Sequence, residues 1–312
     1  MYPEVSVIIC THNPNLLILN RVIEALKRQS LAQSRWELII IDNNSVHPVK
    51  DKINNSWHKQ SSIISERQTG LSYARITGVL CAKSDLIIFV DDDNVLSEHF
   101  LQLAINHSKK HPGIGCFGGK SLPEFEEQPE AWFFTSGINL GCQDLGDQPY
   151  ISNYQKSNFE INEYPAYAPI GTGMLIRKQA FLFYHREVKN SKIRLALGRK
   201  GKSLSSGEDN DIILTIINNG FEIAYFPDLI VIHLIPKIRH SLKYLKRMAF
   251  ESNRSWVKVL HIHQINPWKP ISKIGLPLRL VRAYWRCKPW VSESNEIKWK
   301  SVQGKLTGLS EL

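Results

Sequence analysis

Short aliphatic runs alternate with helically spaced apolar residues through the first 120 residues of this chain. That alternation constrains its fold more than any other feature. "VSVIIC" (5–10), "ELIIID" (37–42), "SSIIS" (61–65) and "DLIIFV" (85–90) read as strands, and "GIGCFGGK" (113–120) supplies a further short one. Between them, "NLLILNRVIEALKRQ" (15–29), "GLSYARITGVLCAK" (70–83) and "SEHFLQLAINHSKKH" (97–111) carry helical spacing, the last with Ser97 as N-cap. Strands that are apolar on both faces must be covered on both faces. The pattern therefore predicts a mostly parallel α/β sheet with flanking helices. In such sheets ligands bind beyond the carboxyl ends of the strands. Polar residues gather at those ends: Thr11, His12 and Asn13 after the first strand, Asp42 after the second, and Asp91, Asp92 and Asp93 after "LIIFV".

The pattern is lost from Ser121 to Pro169, a stretch holding five prolines, Trp132 and several other aromatics. It is long for a simple connection and reads as a lid or as short elements without a clear period. "TGMLIR" (172–177) then predicts a strand, and "GEDNDIILTIINNG" (207–220) a helix stopped by Gly220. "FEIAYF" (221–226) and "LIVIHLI" (229–235) read as two strands, and "HSLKYLKRMAFESNRSWVKVL" (240–260) as a basic amphipathic helix. The expected organisation is a catalytic domain over 1–236 and a basic helical extension over 237–312. Within the domain, a nucleotide-sugar half spans about 1–120 and an acceptor half about 121–236.

Net charge sharpens that division. The chain carries +10 overall, but 16 Lys and Arg against three Glu between Lys237 and Lys305 leave that segment at +13. Residues 1–236 balance at −2, which offers no extended basic surface for a duplex and argues against nucleic acid as a partner. The tail points instead to an anionic surface. Its interleaved Trp256, Trp268, Trp285, Trp290 and Trp299 suit peripheral contact with a membrane, or equally packing on the catalytic domain. The start "MYPEVSVIIC" lacks a basic n-region, no window is long and apolar enough to span a bilayer, and the five cysteines are scattered. The expectation is a reduced, cytoplasmic protein that can sit at the inner face of the cell membrane.

Three adjacent carboxylates at the end of a buried strand repel one another and resist burial. At period two, Asp91 and Asp93 share a side while Asp92 faces the other. Two same-side carboxylates form a hard-oxygen site for Mg²⁺ or Mn²⁺, which bind through one or two carboxylates plus substrate phosphates. A solvated acidic turn is the other reading.

"VSVIICTHN", "IIIDNNS", "ERQTGLSYAR", "IIFVDDDN", "GTGMLIR", "GEDNDI" and "IVIHLIP" occur in this order over about residues 4–256. In order and spacing the set resembles family 2 glycosyltransferases. The resemblance implies a GT-A (Rossmann-like) fold, a UDP-, GDP- or dTDP-linked sugar donor, a divalent cation and inversion at the anomeric carbon. It also implies a glycan or lipid-linked acceptor, in polysaccharide or glycoconjugate biosynthesis. Carried over residue by residue, Thr11, His12 and Asn13 border the base, and Asp42 accepts from base or ribose. Gly70 lets backbone approach the donor, Arg75 faces the diphosphate, and Asp92 lies near the ribose or sugar. Asp91 and Asp93 are the ends of the D-x-D element, Asp93 being the direct metal ligand, and His233 completes the metal site. Ile76 stands where the family often has Asn, so that contribution is missing or supplied elsewhere. Each assignment has a plain structural alternative. Asp42 can bracket a turn, Arg75 can be a helix-surface arginine, and His233 a hydrogen-bonded core residue.

The second acidic cluster, "SSGEDNDI", opens a predicted helix, where acidic residues also simply favour the dipole. Sugar transfer needs a base within reach of the acceptor hydroxyl. The resemblance places that role on Asp209, with Glu208 holding acceptor hydroxyls. Trp132, in the unpatterned stretch 121–169, is available to stack on a sugar face or to be buried. Two other functions compete. A sugar-nucleotide nucleotidyltransferase would want a Gly-rich basic loop after the first strand, where "THNPN" has neither Gly nor Lys. A non-catalytic glycan-binding protein would be expected to show degraded acidic motifs, yet both clusters are intact.

Overall fold

The computed structural model describes residues 2–152 and 162–312. The alternation resolves as expected. Strands β1 (Val5–Thr11), β2 (Trp36–Asp42), β3 (Ser61–Ser65) and β4 (Leu86–Asp91) are parallel neighbours in the order β3-β2-β1-β4. Helices α1 (Leu16–Lys27), α2 (Leu71–Cys81) and α3 (Phe100–Lys110) connect them or follow. Alternate residues of β1 serve opposite faces. Val5, Val7 and Ile9 pack with α1 and α3, while Ile8 packs with α2 and with α5 (Lys178–Val188) and α7 (Glu208–Asn218). Two apolar layers thus enclose the sheet, and every core residue of β1 and β2 is at most 2% exposed.

Beyond β4 the sheet becomes mixed. β8 (Leu175–Arg177) is antiparallel to both β4 and β6 (Ile114–Phe125), and β6 runs parallel to β9 (Glu222–Ile235). The two strands expected at 221–226 and 229–235 are one. Four residues, Phe226 to Leu229, bulge opposite Gly119, which keeps Pro227 out of the hydrogen-bond ladder. A Cβ at Gly119 would collide with the carbonyl oxygens of Leu229 and Phe226, so only glycine admits this bulge. β6 is correspondingly longer than the short strand expected. The short β5 (Asn94–Leu96) returns antiparallel against the far end of β9. Ser97 does not cap α3 with its side chain. His99 occupies the cap position without a side-chain bond, and the Ser97 carbonyl accepts from Phe100 N–H at 3.1 Å and Gln29 Nε2 at 2.7 Å.

The unreadable stretch 121–169 holds the end of β6, the one-turn α4 (Ala131–Thr135) and β7 (Tyr150–Ile151) against β9. Residues 153–161 lie outside the described residues. The short α6 (Lys192–Leu195) precedes a glycine-spaced loop and α7, which stops at Gly220 as expected (φ 82°). The tail forms α8 (Leu242–Ile262), α9 (Leu276–Cys287) and α10 (Glu293–Ser310). α8 and α10 pack closely because Gly304 and Gly308 face the α8 backbone. A Cβ at Gly308 would sit 2.9 Å from the Arg254 carbonyl oxygen. Leu245 and Ala249 of α8 and Ile297 of α10 join Phe133, Leu140 and Ile235 in a separate apolar cluster.

Candidate active site

Strand pairing stops at Asp91, and Asp92 and Asp93 turn the chain back into β5. Buried Asn94 closes that turn. Its Oδ1 accepts from Asp91 N–H at 3.3 Å and its Nδ2 donates to Asp93 Oδ1 at 3.0 Å. The alternation expected for the triplet therefore fails, since period two applies only within a strand. All three aspartates line one cavity of about 550 Å³ at the carboxyl end of the sheet. Glu208 and Asp209, in the first turn of α7, line the same cavity with Arg75 between the two acidic groups.

Arg75 is no surface arginine. It is 2% exposed, and its guanidinium lies 5.0 Å from the Phe89 ring centroid. Nη1 pairs with Asp209 Oδ1 and lies 3.8 Å from Glu208 Oε1, and Nη2 lies 3.8 Å from Asp91 Oδ1. Burial works against its charge, but Asp209, Glu208 and Asp91 outweigh burial and keep it protonated. One cation thus joins the end of β4 to the start of α7, and its contact with Asp209 spans 134 residues of sequence.

The carboxylates differ in their surroundings. Burial pushes Glu208 up to about 7, with Arg75 opposing and Asp209 adding to the rise. Both of its oxygens are buried without a full hydrogen bond. Burial also pushes Asp92 up to about 7, helped by the charge of Asp93 and opposed by the Thr11 hydroxyl, which donates to Asp92 Oδ2. Asp91 is raised by burial and by Asp93. Burial raises Asp93 too, but His233 and Arg239 outweigh it and hold that carboxyl below its ordinary value. Arg239 Nη1 donates to Asp93 Oδ2 at 2.6 Å, and His233 Nε2 lies 3.3 Å from the same oxygen. The β9 register explains the approach, because His233 pairs with Asn94.

Thr11, His12, Gly70, Arg75, the three aspartates, Glu208, Asp209 and His233 therefore converge. Asp42, Asn13 and Trp132 do not line the cavity. Asp42 accepts from the Ser45 N–H at 3.1 Å and the Val49 N–H at 2.9 Å, so its carboxylate brackets a turn. Asn13 Oδ1 accepts from Val46 N–H in that same turn. Trp132 donates to Glu130 Oε2 at 3.0 Å and, partly buried, packs on the cluster around Ile235 and Leu245. Several lining residues escaped the sequence reading. Asn43 accepts from Gly70 N–H at 2.7 Å and donates to the Gln68 carbonyl at 2.8 Å, setting the loop before α2. Arg199 and Lys200 sit in "GRKGK", where glycine-spaced basic residues just before the Glu-Asp pair were the available signal. Arg239, Met248 and Ser252, all beyond residue 236, also line the cavity. No local pattern singles them out.

The sequence is similar to an N-acetylglucosaminyltransferase of Bradyrhizobium diazoefficiens, 26% identical over 269 residues. That alignment covers 81% of this chain and 49% of that protein. It is also similar to the poly(ribitol-phosphate) beta-N-acetylglucosaminyltransferase TarP of Staphylococcus aureus, 30% identical over 133 residues, covering 39% of this chain and 40% of that protein. The chain spans about half or less of the length of these relatives. Its backbone resembles the crystal structure of S. aureus TarS 1–349 in complex with UDP-GlcNAc. The TM-score is 0.53 at 13% identity, covering 99% of this chain and 90% of that one. At such identity the likeness shows the fold, which is the expected GT-A type with added C-terminal helices. The Glycosyl transferase family 2 model matches residues 6–182, more than half of the chain, and the chain belongs to that family.

Proposed function

We propose that this chain transfers a sugar from a nucleotide-diphosphate sugar to an acceptor hydroxyl with inversion, and that UDP-N-acetylglucosamine is the first donor to test. One observation carries this reading: Arg75 holds the Asp91 end of β4 and the Glu208-Asp209 start of α7 around one cavity. The donor's diphosphate belongs at the aspartate turn, at the strand ends, with Arg199 and Lys200 across the cavity to meet its charge. Asp209 is the base. Its Oδ1 is held by Arg75 and its Oδ2 faces Gly171, so the carboxylate is oriented before an acceptor arrives. It takes the hydroxyl proton as the new C–O bond forms and the bond to the diphosphate breaks. Glu208, its neighbour at the start of α7, lines the same cavity and is the second carboxyl to test for contact with the acceptor.

The donor set also fits Mg²⁺ or Mn²⁺. Asp91 and Asp93 face one cavity, and the charge of Asp93 raises the cost of ionising Asp91, which a cation would relieve. Among the described residues no three His, Cys, Asp or Glu side chains converge as metal ligands, and His233 is turned to Asp93. Asp91 and Asp93 would hold the ion, with the remaining ligands from diphosphate and water. When bound it supplies charge stabilisation for the leaving diphosphate. The relatives' printed names favour N-acetylglucosamine as the sugar, and TarP's favours a polyol-phosphate polymer among candidate acceptors.

The test is binding and slow donor hydrolysis with UDP-, GDP- and dTDP-sugars, with Mn²⁺ and with chelator, in the wild type and Asp93→Asn. Cation-dependent use of one donor, lost in Asp93→Asn, is expected. Full activity in that variant or in excess chelator would sink the metal role. Pyrophosphate release from a nucleoside triphosphate would instead identify a nucleotidyltransferase.

A further inference from the structure

The basic tail divides into a packed part and a displayed part. Trp256 packs edge-on against Tyr164, with ring centroids 5.1 Å apart, and Lys305 covers Trp268 at 4.4 Å. α8 and α10 are held together by their glycine contacts and the apolar cluster described above. α9 is different. It carries two apolar stripes. Leu276, Leu280, Ala283 and Cys287, at four-three-four spacing, form its less exposed side, and Cys287 is buried. Ile274, just before the helix, with Leu278, Val281 and Trp285 repeats that spacing on the other side, at 94%, 58%, 56% and 65% exposed. The turn after the helix adds Trp290 at 53% exposed. Tyr284, Trp285 and Trp290 form one aromatic group, with Trp285 and Trp290 centroids 5.2 Å apart and Tyr284 resting on Trp299 of α10 at 5.5 Å.

Basic residues flank the exposed stripe. Arg279, Arg282 and Arg286 lie at three-four spacing one position on from Leu278, Val281 and Trp285, a rotation of about 100° around the helix. None of the three has an ion-pair partner among the described residues, whereas Arg239 and Arg254 of the tail are paired and Arg247 donates to the Lys202 carbonyl. An exposed apolar and tryptophan-bearing stripe beside an unpaired arginine stripe is the pattern of a helix lying in a membrane interface. No described helix is long and apolar enough to cross a bilayer, so the contact is with its surface.

We propose that α9 and the turn after it form a docking surface for an anionic lipid bilayer, with Trp285 and Trp290 set at headgroup depth and the three arginines against lipid phosphates. A second copy of the chain is a poorer occupant. A two-fold interface on this stripe would bring each arginine row close to its own copy.

The test is cosedimentation of the full chain with vesicles of neutral lipid alone or with about 30% phosphatidylglycerol, at low salt and at about 0.5 M salt. Binding to the anionic vesicles at low salt, weakened by salt, is expected. Arg279→Gln with Arg282→Gln should lower the partition coefficient about 30-fold, from two charges at about 1 kcal/mol each. Trp285→Ser with Trp290→Ser should remove the binding that survives high salt. These side chains are exposed and outside the cavity, so circular dichroism and donor binding in solution should be unchanged in both variants. Failure to bind anionic vesicles at low salt would overturn the proposal, as would binding that neither pair of substitutions alters. A concentration-dependent dimer abolished by the tryptophan pair, without vesicle binding, would assign the stripe to a second copy instead.

Discussion

Replacing Arg75 by Met removes the cation that three carboxylates share while keeping much of the side chain's apolar volume. The Glu208 and Asp91 pairs at 3.8 Å each amount to roughly 4 kcal/mol of attraction at an effective dielectric of about 20. The cost of burying Arg75 must be set against that. Breaking a buried pair from one side costs about 3–5 kcal/mol. The lower end applies here, because the side chains of Asp91 and Asp209 are 34% and 36% exposed and water can partly replace the lost charge. Glu208, at 2% exposed, has no such recourse. We expect Arg75→Met to lose about 3 kcal/mol at pH 8, a large part of an ordinary domain's ~5–15 kcal/mol. The loss should depend on pH with a definite sign. Without Arg75 the carboxyls bind protons more tightly in the folded state, so the variant's stability falls more steeply as pH rises. The deficit should then be smaller at pH 5 than at pH 8. Arg75→Lys keeps a charge but, with a single ammonium, cannot serve three carboxylates at once, and should fall between. Urea unfolding at pH 5, 7 and 8 measures this, with unchanged m-values checking that the same transition is compared. A deficit below about 1 kcal/mol at pH 8, or one independent of pH, would refute the shared-cation account.

Asp209→Asn should lower turnover by about 10²–10⁴-fold with little change in donor affinity; collapse of donor binding with surviving turnover would move the residue to the donor site. Glu208 keeps a proton that the unfolded chain releases, so it makes the fold less stable as pH rises from about 4.5 to about 7. Glu208→Gln should therefore be relatively more stable at pH 8 than at pH 4, by on the order of 2 kcal/mol, read from denaturant midpoints at the two pH values. Asp211 is fully buried, accepts from Arg194 Nε at 2.9 Å and Nη2 at 2.8 Å, and lies 2.7 Å from His263 Nε2. Asp211→Ala should destabilise by about 3–5 kcal/mol, while Asp211→Asn, which keeps an acceptor, should cost less; equal, small losses in the two would show that this network does not anchor α7.

The sheet was legible before any coordinate because its information is local. A strand buried on both faces must be apolar throughout, so "VSVIIC", "ELIIID" and "DLIIFV" announce themselves, and their polar ends mark the ligand edge. The ordered motifs placed Thr11, Gly70, Arg75, Asp91, Asp92, Asp93, Glu208, Asp209 and His233 together for the same reason: each lies in or beside a strand or helix whose pattern can be read. Residues whose roles depend on long-range packing could not be read this way. Asp42 looks like its neighbours in the motif, and only the turn through Ser45 and Val49 shows that its oxygens hold backbone N–H groups. Arg239 is one of 16 basic residues in the tail, and only the course of the chain after β9 brings it to Asp93. Composition showed that the tail is basic but not which tryptophans are covered. That was decided by the close approach of α10 to α8, which leaves Trp285 and Trp290 in solvent while Trp256 and Trp268 are packed.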